Sequence, residues 1–245
     1  MYHFINSLFI LFALLFSIST GASEFWSNAK EDLVSPFTTD ALTIFEVGGG
    51  LTLLAIILKD ESKKLQKNLS DHRPLKSLSK IGDFLGQATP NIAYALFMGG
   101  DYYFNKDQKS LDRTILMAKA TLYAGAITDI AKIAINEKRP NGSNHSFPSG
   151  HSTTAFAFSS VVMMEHSLPW GIAANAMATF VGVSRMNDNA HYLQDVLAGA
   201  TIGTMYGVGL YYAQKKREES NKANTSVFLV IPTERGLAAN YSVDF

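Results

Sequence analysis

Three short stretches of this chain carry residues suited to moving a phosphoryl group. The first runs from Lys132 to Arg139 and is closed by Pro140. The two cations are seven positions apart, about two helical turns, so they project from one face before the proline stops the helix. The second is Phe147-Pro148-Ser149-Gly150-His151-Ser152. Proline and glycine impose a turn there, and the Ser/Thr/Ala run behind it begins a helix. Such a turn aims the Ser149 hydroxyl and backbone amides, that of Gly150 included, at one point near a helix N-terminus, where an anion binds readily. His151 at that mouth can give or take a proton near neutrality. The third stretch runs from Ser184-Arg185 through His191 to Asp195. His191 and Asp195, four apart, are neighbours on one helix face. A carboxylate on one imidazole nitrogen fixes the tautomer and frees the other nitrogen to attack. Arg185 can grip two oxygens of a phosphate at once.

Each stretch alone has a plainer explanation: cations compensating a helix dipole, an N-capping turn, an ordinary solvated His–Asp pair. Together they are the parts for phosphoryl transfer without a metal. Lys132, Arg139 and Arg185 would neutralise the phosphate oxygens, His191 would attack in line, and His151 would protonate the leaving oxygen and then activate water. Three further residues invite weighing. His145 lies close enough to the Pro-Ser-Gly-His turn to touch a substrate, although a loop histidine is usually just solvated. Lys138 could add a cation at the rim. His166, after Glu165 at a helix end, is accounted for by dipole compensation.

The pattern Lys-x6-Arg-Pro, then Pro-Ser-Gly-His, then Ser-Arg-x5-His-x3-Asp, resembles the type 2 phosphatidic acid phosphatase and vanadium haloperoxidase superfamily, with all three motifs complete and in order over residues 132–195. The resemblance implies phosphate binding by Lys132, Arg139 and Arg185, helped by Ser149 and Gly150. It implies His151 as general acid, His191 as nucleophile forming a phosphohistidine, and Asp195 as its orienting partner, with no metal and no other cofactor. It also implies an all-α helical bundle with the motifs gathered at one end. Membrane members of the superfamily place that end at the periplasmic or luminal face and act on lipid phosphates or pyrophosphates. Soluble members include periplasmic non-specific acid phosphatases.

The elements that must position these residues are helical. Residues 41–58, 84–100, 114–135, 152–164, 167–184 and 196–213 are apolar runs, and the small residues crowding the fourth and sixth suit close helix contact. Asp40 is placed to cap the first run and Pro90 to sit in a first turn. The polar residues 65–79, with Arg73-Pro74, read as a connecting loop or short surface helix. Residues 226–232 and 237–245 lean to β structure around Thr233-Glu234-Arg235-Gly236, a candidate hairpin. The expected architecture is therefore about six helices with the site at one end, plus a short C-terminal β-hairpin. Its divisions are residues 1–23 as a signal peptide or N-terminal membrane helix, 24–217 as the catalytic helical domain, and 218–245 as a tail.

Composition narrows the partners. Lys+Arg and Asp+Glu both total 21, so the neutral chain offers no basic face for nucleic acid, and any anion must be held by a local cluster. The absence of cysteine removes thiolate catalysis and sulfur-based zinc sites. Mean hydropathy is +0.06, low for a multi-span membrane protein, yet the apolar residues are clumped. Residues 8–16 followed by Ser19-Thr20-Gly21-Ala22-Ser23 resemble a secretory signal. The expected partner is a phosphorylated lipid (phosphatidate, an undecaprenyl pyrophosphate or a lipid A phosphate) at a membrane of the bacterial envelope. An inner-membrane protein with a periplasm-facing site comes first, a soluble periplasmic acid phosphatase taking small phosphate esters second. Vanadate-dependent halide oxidation and a vestigial site without activity stand behind both.

Overall fold

The structure, a computed structural model, describes residues 28–224, 227–233 and 236–242. The signal or membrane-helix expectation for residues 1–23 lies outside the described residues. Among them are nine α-helices rather than about six: α1 (Ala29–Thr38), α2 (Leu42–Ile57), α3 (Lys59–His72), α4 (Ser79–Leu85), α5 (Thr89–Asn105), α6 (Gln108–Ile135), α7 (Gly150–Glu165), α8 (Leu168–Asn187) and α9 (Leu193–Asn224). The six apolar runs correspond to α2, α5, α6, α7, α8 and α9. The additional helices are α1, α4 and the polar α3, whose sequence KDESKKLQKNLSDH lacks the apolar stripe that makes a helix legible. Two strands, β1 (Val227–Thr233) and β2 (Gly236–Ser242), pair antiparallel with Val227 opposite Ser242.

Local chemistry sets the helix ends. Pro90 occupies the first turn of α5, where its missing N–H costs nothing. Lys106 and Asn136 end α5 and α6 in the left-handed region at φ 58° and 47°. Ser149 caps α7, its side-chain oxygen accepting from the Ser152 amide. Asp40 does not cap α2; Ala41 holds the N-cap position without a side-chain bond.

α7 lies at the centre, packed against α6, α8 and α9, while α5 covers α6, and α1 and α2 lie along α9. Leu116, Met117, Val161, Tyr206 and Leu210 form the main core, and Ala155, Ala178 and Val181 a second cluster between α7 and α8. The α7–α9 contact is backbone on backbone. A Cβ on Gly199 would lie 2.4 Å from the Ser149 carbonyl oxygen, and one on Gly203 would lie 2.3 Å from that of Thr153. Only hydrogen fits at this seam, which is how α7 and α9 come so close.

At the far end of the bundle an ionic cluster fastens α1. Lys119 Nζ lies 2.6 Å from Asp32 Oδ2, both groups essentially buried, and Arg217 Nη1 lies 3.0 Å from Asp32 Oδ1 and 3.1 Å from Glu31. Elsewhere the surface is strongly apolar on α2, α5, α6 and α8, with Val47, Ile57, Phe97, Phe104, Ile133 and Trp170 well exposed. Among the described residues no single helix is long and apolar enough to cross a membrane; α1 and α2 together have the length and composition but meet at 64°.

Candidate active site

A cavity of about 470 Å³ opens between the C-terminal end of α6, the N-terminal end of α7 and the loop before α9. Lys132, Arg139, Gly150, His151 and His191 line it, with Gln87, Thr128, Asp129, Ile133 and His145 completing the wall. Residues spread over about a hundred positions of sequence, from Gln87 to His191, thus face one space.

Lys132 sits in the last turn of α6. Its ammonium donates to the carbonyl oxygens of Pro148 at 2.5 Å and His145 at 3.0 Å, which leaves one of its three N–H groups for the cavity. His145 returns the contact: its Nδ1 lies 3.0 Å from the Lys132 carbonyl oxygen, an acceptor, so Nδ1 carries the proton. This histidine is therefore tied into the wall rather than solvated. Arg139 is held by a tight turn, its amide donating to the Ser143 carbonyl at 2.7 Å. Its Nε is buried and has no hydrogen-bond partner among the described residues, as expected of a group kept for an anion. Lys138 is exposed and outside the lining, and His166 lies at the far end of α7 against the Tyr94 hydroxyl.

Gly150 and His151 open α7. As at any helix start, their amides have no carbonyl one turn back, so the cavity receives N–H donors and the positive end of the helix dipole. Ser149 stands behind this wall. Its hydroxyl is buried and accepts from the Ser152 amide at 3.4 Å and the Ser152 hydroxyl at 3.1 Å, so it shapes the turn from within the helix cap.

His191 is not on a helix but in the loop entering α9, its Nδ1 3.4 Å from Asp195 Oδ2. The pair meets because Asp195 reaches back over the first turn: Oδ2 accepts from the Tyr192 amide at 2.9 Å, the geometry of a capping box. Burial, aided by Lys132 and Arg139, outweighs the support of Asp195 and pushes His191 down to about 4. The imidazole is thus neutral near pH 7, the form a nucleophile requires.

Two functional candidates had no sequence signal strong enough to single them out. Ser146, fully buried, donates to Asp195 Oδ2 at 2.5 Å. Asp83 on α4 contacts Arg185 Nη1 and lies 3.1 Å from His151 Nε2. Arg185 itself is buried and bracketed by two carboxylates, Asp83 and Asp188 (2.9 Å to the latter), and stands outside the cavity lining.

A helical bundle that gathers two histidines, a carboxylate behind one of them, and lysine and arginine side chains around a helix N-terminus defines a site for an oxyanion such as phosphate. The comparisons agree with that class. Residues 113–219 match the family described as PAP2 superfamily. Over 213 residues the chain is 31% identical to a protein of Rhizobium etli named lipid A 1-phosphatase, covering 80% of this chain and 75% of that one. It is 32% identical over 129 residues to a protein of Porphyromonas gingivalis of the same name, covering 51% of this chain. That match spans only 29% of the Porphyromonas protein's length. In fold the chain is similar to the first transmembrane PAP2 type phosphatidylglycerolphosphate phosphatase of Bacillus subtilis, with a TM-score of 0.58 and 22% identity, covering 73% of this chain and 96% of that one. The chain belongs to the PAP2 superfamily.

Proposed function

We propose that this protein is a phosphatase that removes a phosphate group from a lipid of the bacterial envelope through a phosphohistidine intermediate. The observation that carries the reading is the convergence of Lys132, Arg139, His151 and His191 on one cavity at a helix N-terminus. The superfamily membership and the relatives named lipid A 1-phosphatase support it.

In the proposed reaction phosphate oxygens sit on Lys132, Arg139 and the α7 amides of Gly150 and His151, with Arg185 behind them and Ser149 holding the turn. His191 Nε2 attacks phosphorus as the bond to the leaving oxygen breaks, and His151 gives that oxygen its proton. Asp195 stabilises the charge that builds on His191. Water then attacks phosphorus, its proton passing to His151, and the phosphorus–nitrogen bond breaks to release phosphate and regenerate His191. The cations and the helix end supply the charge neutralisation, so the scheme uses no metal and no other cofactor.

The lipid assignment draws on the surroundings of the cavity. Ile133 lines it and is exposed, as are Ile130 and Ile135 on the same helix end, and apolar side chains continue over α2, α5 and α8. An exposed apolar surface on that scale suits a bilayer, from which a substrate can slide to the phosphate seat. We place the protein at the inner membrane with the cavity facing the periplasm, residues 24–217 as the catalytic domain, and 1–23 and 218–245 as flanking segments.

Phosphate release from phosphatidate, an undecaprenyl pyrophosphate, a lipid A phosphate and a soluble aryl phosphate, measured in EDTA with wild type and His191→Ala, tests the proposal. Release from a lipid, lost in the variant together with labelled phosphoenzyme, is the expected result. Equal turnover of the aryl phosphate would instead favour a broad acid phosphatase, and activity retained by His191→Ala would remove this nucleophile.

A further inference from the structure

The short helix α4 is fitted closely over the site. A Cβ on Gly82 would lie 2.3 Å from the Ser184 hydroxyl, and one on Gly86 would lie 2.6 Å from His151 Cδ2. Thr154 Oγ1 donates to the Gly86 carbonyl at 2.6 Å and so pins the end of α4 to α7. Between the two glycines, Asp83 turns inward. Its Oδ1 meets both Arg185 Nη1 and His151 Nε2, and its Oδ2 accepts from Gln87 Nε2 at 3.0 Å.

The approach to His151 is close but oblique, since His151 Nε2 has no well-aligned hydrogen-bond partner among the described residues. The imidazole is therefore held electrostatically while its proton remains available to a leaving oxygen. At Arg185 the carboxylate occupies a place that a phosphate oxygen would also seek. From this double contact we propose that Asp83 is a positioning residue: it aims His151 for proton donation and favours its imidazolium form, and it competes with the substrate phosphate for Arg185.

This rests on the phosphatase reading above. The charged groups facing His151 are Asp83 from α4, Arg185 from α8 and Arg139 from the loop after α6. Burial first, with Arg185 and Arg139 adding, lowers the His151 pKa below its ordinary value; of the three charged groups only Asp83 is negative and works against that shift. The contact works both ways: the nearby His151 first, with Arg185 adding, holds the Asp83 carboxyl well below the usual carboxylate range, so it stays anionic wherever the enzyme works. An anion beside the phosphate seat weakens ground-state binding while it supports the acid that acts in the transition state. The contact with Arg185 raises KM and the support of His151 raises kcat, a split that a purely structural residue lacks.

Asp83→Asn keeps shape and removes the charge. For the lipid on which the wild type is active, the variant is expected to show a kcat lower by roughly tenfold to a hundredfold and a KM lowered severalfold. The alkaline limb of kcat is expected to move down by about one pH unit as His151 loses its support. Asp83→Glu should restore part of kcat. Direct calorimetric titration with orthovanadate, a phosphate mimic, should show tighter binding to Asp83→Asn than to the wild type. An unchanged kcat and unshifted limb would overturn the proposal, as would weaker vanadate binding by an Asp83→Asn protein whose thermal unfolding matches the wild type. Failure of the phosphatase reading would show separately, as a wild type that releases no phosphate from any substrate.

Discussion

Ser146 Oγ donates to Asp195 Oδ2 at 2.5 Å, and that same oxygen faces His191 Nδ1 at 3.4 Å. The carboxylate beside His191 is thus itself oriented, from one side by a buried hydroxyl and from the other by the Tyr192 amide. Ser146→Ala should leave Asp195 free to turn from the imidazole. A hydrogen bond to a charged group is worth about 1.5–3 kcal/mol, so kcat should fall roughly tenfold to a hundredfold with KM little changed. Steady-state kinetics on the lipid substrate would check this; an unaltered kcat would make Ser146 a packing residue only.

The depressed His191 sets a pH dependence. With its pKa at about 4 rather than 6.5, the proposed nucleophile stays neutral through the mildly acidic range. The acid limb of kcat/KM should therefore fall near pH 4, and a limb at pH 6.5 would contradict the buried geometry. Stability carries the same group with its own sign. Between 6.5 and 4 the unfolded chain binds a proton that the folded chain does not, so stability declines as pH falls through that window, by about 1.4 kcal/mol per pH unit at most, and levels off below it.

The α7–α9 seam predicts a contrast between two glycines. Gly203→Ala would drive a methyl to 2.3 Å from the Thr153 carbonyl oxygen, which is backbone and cannot swing away. A loss of about 1–3 kcal/mol follows from overpacking of this kind. Gly49→Ala, in the body of α2 with nothing within 4 Å of the new methyl, should be neutral or gain up to about 1 kcal/mol from helix propensity. Thermal unfolding of the two variants in one detergent would decide, and equal melting temperatures would discard the seam as a close contact.

The far ionic cluster should matter for stability and not for chemistry. Lys119→Met leaves Asp32 buried with Arg217 as its remaining cation partner. A cost of about 3 kcal/mol, the low end for breaking a buried pair, is expected because Arg217 stays. Lys119 precedes Lys132 by thirteen residues on α6, about 20 Å along the helix, so kcat per folded molecule should hold. A selective loss of kcat would instead tie this end of the bundle to the site.

The residues facing the cavity were legible because their chemistry comes in short, ordered spacings: Lys132 with Arg139, Gly150 with His151, and His191 with Asp195 behind it. Lys132 and Arg139 nevertheless read as one helix face, whereas α6 ends at Ile135 and Arg139 lies in the loop beyond. The long helices were legible as apolar runs. What escaped did so for physical reasons. α3 is mostly polar, with only Leu65 and Leu69 to mark an apolar side. Asp83 meets partners 68 and 102 positions away in the chain, a meeting that no local pattern encodes. The His191–Asp195 spacing read as one face of a helix, whereas the pair forms across a helix entrance. Arg185 read as a free cation, and only the folded chain shows two carboxylates already on it.

The seam of Gly199 and Gly203 joins the helix that carries His151 in its first turn to the helix entered from His191, backbone against backbone. Two histidines mounted on a joint with no slack keep a fixed span between donor and nucleophile. On the proposed reading, accommodation of differently shaped substrates would fall to the wall formed by the turn around Arg139, which lines the cavity through side chains. The molecule is divided into a jig that fixes the distance of the reaction and a facing jaw whose shape can change without disturbing it.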